Sequence, residues 1–151
     1  MTIKQHGDIQ EHAIANMNQI TATKLAEQVV IQGEKREEFI IFAMKTLQEI
    51  GPQTEVEKGL CEKYIFLSWK LRRAIEHERY ILNEQNRRLN SLEEHRISMG
   101  RMTGRRVRNI ERIDLSDPSV INLTQQQYEL EKRINKTLDR IRHEQRRNGK
   151  Q

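Results

Sequence analysis

At 151 residues, 35% apolar and 32% charged, the chain is sized for one domain but too polar to fill a thick α/β centre. With only three Phe, three Tyr and one Trp, its core must be thin, built from helices that each carry a narrow apolar stripe, and part of that stripe is expected to be buried against another copy or another protein. The net charge of +5 is uneven: residues 1–60 hold 6 basic and 9 acidic side chains and residues 61–151 hold 21 and 13, which suits a polyanion-facing half or, more plainly, long solvated helices.

The first twenty residues are polar, rich in Asn and Gln and without a firm period, which predicts either a frayed helix from Asp8 or a tail that orders on a partner. Thr21 to Gly33 reads as one or two short turns in which Val29, Val30 and Ile31 can lie against a neighbour. A helix is predicted from about Glu34 to Ile50. Its first turn is acidic (Glu34, Glu37, Glu38), Phe39, Phe42, Ala43, Met44, Leu47 and Ile50 form its buried face, and Gly51-Pro52 stops it.

Thr54 followed by Glu57 has the spacing of a capping box, and one long helix of about 40 residues is expected from there. Its apolar positions Val56, Leu60, Tyr64, Leu67, Leu71 and Ala74 step by four and three, a heptad-like seam. A second stripe, Cys61, Ile65 and Trp69, makes this stretch the expected centre of the core. Beyond Ala74 the seam thins to Leu82, Leu89 and Leu92, so burial should fade. Residues 98–113, with Gly100 and Gly104, read as an arginine-rich flexible joint. Asp117 as N-cap and Pro118 at the first helical position then open a last helix, whose seam is Leu123, Gln127, Leu130, Ile134, Leu138 and Ile141. The architecture is therefore all-α, an elongated helical bundle or antiparallel coiled coil of two long helices plus shorter N-terminal ones. Its parts are a polar N-terminal segment (1–33), a helical hairpin core (34–97), the joint (98–116) and the C-terminal helix (117–151).

No catalytic, metal or cofactor site is predicted. His6, His12, His77, His95 and His143 are scattered without metal-ligand spacing, and Glu76-His77-Glu78 reads as the solvated side of a charged helix. The single cysteine, Cys61, excludes an internal disulfide and reads as core. With no apolar N-terminal signal region, and no apolar run near the length that spans a bilayer, a cytoplasmic protein without a membrane partner is expected.

The sharper feature is a set of arginines. Arg101, Arg105, Arg106 and Arg108 place four cations in eight residues before the next acid, Glu111, and guanidinium groups pair with phosphate bidentately. Arg87-Arg88 and Arg146-Arg147 can extend that footprint. The alternative is a mobile, solvated loop. In Trp69-Lys70-Leu71-Arg72-Arg73, Trp69 reads as the anchor of a helix crossing, with Arg72 and Arg73 emerging to pair with acids such as Glu37 and Glu38; the other reading lets those arginines line a groove for an acidic partner. Leu67, Trp69, Leu71, Arg72 and Arg73 are together the candidate core or partner interface.

These residues carry a resemblance. Gln32-Gly33-Glu34, Glu37-Glu38-Phe39, Pro52, Glu62-Lys63, Trp69 through Ala74 with Glu76, and Tyr128 through Arg133 resemble a group of small, uncharacterised bacterial helical proteins in which a Trp-Lys/Arg-Leu-Arg-Arg core recurs. The likeness covers roughly residues 20–80 and 123–145 and implies a helical fold. Members of that group commonly start with an Asn-rich, Lys-His-Gly segment similar to some phage terminase small subunits, which bind DNA and oligomerise. Here Asn16-Met17-Asn18-Gln19-Ile20 stands in that place without the basic His-Gly pair.

Two functions compete. One is a basic, non-enzymatic accessory protein of a phage or mobile element that grips DNA or RNA non-specifically through its arginines. The other is a helical scaffold or adaptor that forms a homo-oligomer or docks on a larger protein partner. No convergent set of nucleophile, base and stabiliser supports an enzyme.

Overall fold

The computed structural model describes residues 3–103 and 115–149. Among them lie four α-helices and no strand: α1 (Ile3–Val29), α2 (Arg36–Ile50), α3 (Glu55–Thr103) and α4 (Pro118–Asn148). The fold is all-α. It divides into two compact units, one of residues 1–69 with 132–151 and one of residues 70–131.

The first unit holds the main core. Phe39, Ala43 and Leu47 of α2 are buried together with Cys61, Ile65 and Trp69 of α3 and with Ala22, Ala26 and Val29 of α1. The second stripe read from the sequence is thus fully inside: Cys61 and Ile65 are 0% exposed and Trp69 is 5% exposed. Trp69 meets Phe39 edge-on, with ring centroids 5.1 Å apart and planes at 89°, a favoured aromatic geometry. Its indole Nε1 donates to the Glu34 carboxylate at 3.2 Å, so the buried polar end of the ring is satisfied.

Local chemistry sets the helix ends. Gly51 adopts the left-handed conformation (φ 58°) and its N–H donates to the Leu47 carbonyl at 2.9 Å, closing α2 where a side chain would strain. Thr54 Oγ1 accepts the Glu57 N–H at 3.2 Å, while the Glu57 carboxylate reaches back to the Gln53 N–H at 2.7 Å. That is the capping box, displaced by one residue on its return bond. Asp117 caps α4 through the Ser119 N–H at 2.8 Å.

Four expectations need correction. Residues 3–29 form one continuous helix, which takes the helical of the two readings of the first twenty residues, starts before Asp8 and replaces the short turns expected from Thr21; Ala22 and Ala26, small enough to let α1 lie close on α2, supply its buried face. Val56 is 60% exposed and leaves the seam, because the capping box turns Glu57 inward at that level and the apolar stripe starts at Leu60. α3 continues through Gly100 to Thr103, so residues 98–103 of the supposed joint are helical, while Leu115 and Ser116 at its end form a turn. Glu78 is half-buried, unlike exposed Glu76 and His77: its carboxylate accepts Gln127 Nε2 at 2.9 Å and Thr124 Oγ1 at 3.2 Å.

In the second unit α3 and α4 run antiparallel, as pairs 78 with 124 and 127, and 85 with 117, require. Only Val120 and Leu123 are buried apolar residues there among the described ones. Burial does fade along α3: Leu82 and Leu89 are half-buried and Leu92 is 62% exposed. Hydrogen bonds between side chains carry much of the register, a polar interface whose partners must stay satisfied to hold.

Candidate nucleic-acid interface

A large excess of positive charge runs along the C-terminal half of α4. Residues 132–151 carry eight Lys and Arg against two acids. On a helix of 3.6 residues per turn, Lys132, Arg133, Lys136, Arg140, His143 and Arg147 fall within an arc of about 100°. All six are exposed. The opposite face holds half-buried Ile134 and Leu138 with buried Thr137 and Ile141. Charge and burial therefore divide the helix cleanly, on the period of an amphipathic segment.

Two side chains on the packed side fasten this stretch. Gln145 Nε2 donates to the Ile50 carbonyl at 2.8 Å and Asn148 Nδ2 to the Glu57 carboxylate at 2.6 Å. Both bonds grip the turn between α2 and α3, and the Gln145 bond takes one of the carbonyls that the end of α2 leaves without a helical partner. Glu57 is 1% exposed. Its pKa is lowered below the ordinary carboxylate value by the Gln53 N–H first, with Asn148 and Thr54 adding to it against the opposing effect of burial. A buried carboxylate kept ionised thus pins the end of α4 and fixes which face looks outward.

Ion pairing leaves much of this charge unmatched. Arg147 lies 3.5 Å from Glu144 and Arg142 3.8 Å from Asp139. Lys132, Arg133, Lys136, Arg140 and Arg146 make no ion pair among the described residues. The helix dipole accounts for Arg146 and Arg147, which lie in the last turn. It does not account for the other four, which sit further up. Spaced four apart, Lys132, Lys136 and Arg140 repel one another, a cost of about 0.2–0.5 kcal/mol per pair.

The residues singled out in the sequence fall in different places. Arg87 is exposed and pairs with Glu84 at 3.0 Å; Arg88 and Arg101 are exposed without an ion pair among the described residues. Arg105, Arg106 and Arg108 lie outside the described residues. Leu67 (1% exposed) and Trp69 are buried, whereas Leu71 and Arg73 are half-buried. Arg72 is exposed and meets Glu76 on its own helix at 3.0 Å. Lys132, Arg133, Lys136 and Arg140 were not singled out, although the imbalance of eight bases to two acids was there to count.

Among the described residues no group of three or more His, Cys, Asp or Glu is placed to hold a metal, and no helix is long and apolar enough to cross a membrane. A groove of about 660 Å³ lies in the first unit between α1, the end of α2 and the start of α3, with Ile14, Met17, Leu47 and Pro52 as its apolar lining. Comparison with protein families, with curated proteins and with solved structures finds no match.

Proposed function

We propose that this is a non-enzymatic nucleic-acid-binding accessory protein that holds the phosphate backbone through cations of α4, assisted by the Arg101–Arg108 segment. The carrying observation is the row of exposed cations without ion pairs on α4. Their mutual repulsion is relieved when phosphates replace the counterions around them, and releasing those counterions is what drives such binding. Without an element that reads base edges, binding is indifferent to sequence. The partner implies a cytoplasmic setting, and the phage or mobile-element setting rests on the resemblance alone.

The test is the salt dependence of binding to a labelled 20-base-pair DNA, followed by fluorescence anisotropy. Five unpaired cations predict a slope of log affinity against log salt near −4 to −5, at about −0.9 per contact. Changing Lys132, Arg133, Lys136 and Arg140 to Gln should shrink it by about 3 to 4, and Arg105→Gln with Arg106→Gln by about 2 if that segment also grips. A parent chain that does not bind at low salt rules the reading out.

The groove supports a second reading, a scaffold that oligomerises or docks on a protein partner. Ile14 and Met17, which line it one turn apart on α1, are 53% and 58% exposed, apolar surface that a docked partner would remove from water. Sedimentation of the parent beside Ile14→Asp with Met17→Asp separates the two readings, since a seam used for assembly loses mass on that change and a phosphate grip does not.

A further inference from the structure

No Lys, Arg, Asp or Glu stands among residues 12–23, the longest such run in a chain that is 32% charged. The next longest, 118–128 in α4, turns Val120 and Leu123 inward and bonds α3 through Gln127. Residues 12–20 of α1 make no comparable use of theirs: Asn18 is half-buried and the others are exposed. Resting on the second reading above, we infer that what covers this surface is a second copy of the chain, with the two α1 helices antiparallel about a two-fold axis at Met17.

The exposed side chains form a seam. Gln10, Ala13, Met17, Ile20 and Lys24 step by three and four along α1, which lines them up in one exposed stripe with Ile14 at its edge. Ile14, Met17 and Ile20 are 53%, 58% and 56% exposed, and through Ile14 and Met17 the stripe runs into the groove beside α2 and α3. An apolar centre that includes Met and is stripped of Lys, Asp and Glu has the composition of an interface core.

Charge chooses the occupant. A partner recognised by its charge would be met by fixed charges on this face, which has none between Glu11 and Lys24. Two copies of a chain of net charge +5 repel one another, and a neutral face lets them meet without setting like charges together. A two-fold interface sets each residue against its counterpart in both directions. With the axis at Met17, Met17 meets Met17, Ile14 meets Ile20, Ala13 meets Thr21, and Lys24 meets Gln10, whose amide oxygen can accept from it. Parallel pairing would set Lys24 on Lys24, a like-charge contact that disfavours it. The seam from Gln10 to Lys24 is about 21 Å long, so the dimer is small and reversible.

The experiment uses the full chain in high salt, which strips any polyanion from α4 and leaves an apolar seam intact. Sedimentation up to about 100 μM, where a micromolar interface is filled, should show a monomer–dimer equilibrium. Ile14→Asp with Met17→Asp should return it to monomer with cooperative unfolding retained. Met17→Cys and Lys24→Cys, each treated with a short bis-maleimide, read the direction of pairing. The Met17 positions meet at the axis and the Lys24 positions lie about 21 Å apart along the seam, so the first variant should cross-link about tenfold or more faster. Cys61 is 0% exposed and adds no background. Cross-linking at Lys24 as fast as at Met17 overturns the antiparallel pairing. A dimer that survives the double Asp change overturns this inference and leaves an oligomerising scaffold standing, whereas a monomer at every concentration removes self-assembly from the second reading too.

Discussion

Asn148→Ala tests the fastening of α4 most directly. The substitution removes the amide that donates to Glu57 Oε1 at 2.6 Å and leaves that oxygen, on a residue 1% exposed, without a donor. Hydrogen bonds to a charged group are worth about 1.5–3 kcal/mol, so the variant should lose that much at pH 7. Because the Glu57 pKa is depressed in the folded state, the contribution is complete above the ordinary carboxylate value and disappears as pH falls through the lower folded value. The difference between parent and variant, from urea denaturation followed by helical circular dichroism, should therefore shrink between pH 7 and pH 3. Glu57→Gln should cost a similar amount, and the double variant less than the two singles together, a coupling of about 0.5–3 kcal/mol. Additive costs, or a cost that does not change with pH, would falsify the fastening.

Trp69→Ala should cost about 3–5 kcal/mol, since it empties the space between Phe39 and Phe42, while Trp69→Phe should cost less and leave the Glu34 carboxylate short of one donor. Equal melting temperatures for parent and Trp69→Ala contradict the core role. Burial raises the Cys61 thiol to about 11, with the negative charge of Glu62 adding to it. At pH 8 the native protein then holds roughly one thiolate in a thousand, so a maleimide should label it only after unfolding; native labelling as fast as in denaturant shows that the cysteine is accessible.

How far the sequence could be read depended on the range of the chemistry involved. Gly51 with Pro52, Thr54 with Glu57, and Asp117 with Pro118 act on backbone a few residues away, and each stands where its local signal put it. The Cys61, Ile65, Trp69 stripe was legible because large apolar residues at helical spacing leave a clear period. Gln145 and Asn148 gave no such signal, since their partners lie 95 and 91 residues away and both are polar residues that decorate any solvated helix. The cations of residues 132–147 were visible as a count, but the tighter cluster at 101–108 drew the functional reading away from them. The continuation of α1 past Thr21 is hard to read for a different reason.

Its core is alanine, which a search for Leu, Ile, Val and aromatics passes over, although Ala22, Ala26 and Val29 step by four and three and Leu25 packs beside them. Alanine is also the strongest helix former, so the segment needs no capping signal to be helical. The physical role is close approach: at 0% and 2% exposure these methyl groups have no room around them, and a longer side chain must push α1 off α2. Ala22→Leu and Ala26→Leu should therefore each destabilise by about 1–3 kcal/mol, despite adding apolar surface. Ala15→Leu, on the exposed side of the same helix, should stay within about 0.5 kcal/mol. Thermal denaturation of the three variants decides it, because a helix held only loosely would gain from a leucine at any of these positions, and stabilisation at 22 or 26 would mean that alanine is there for its propensity alone.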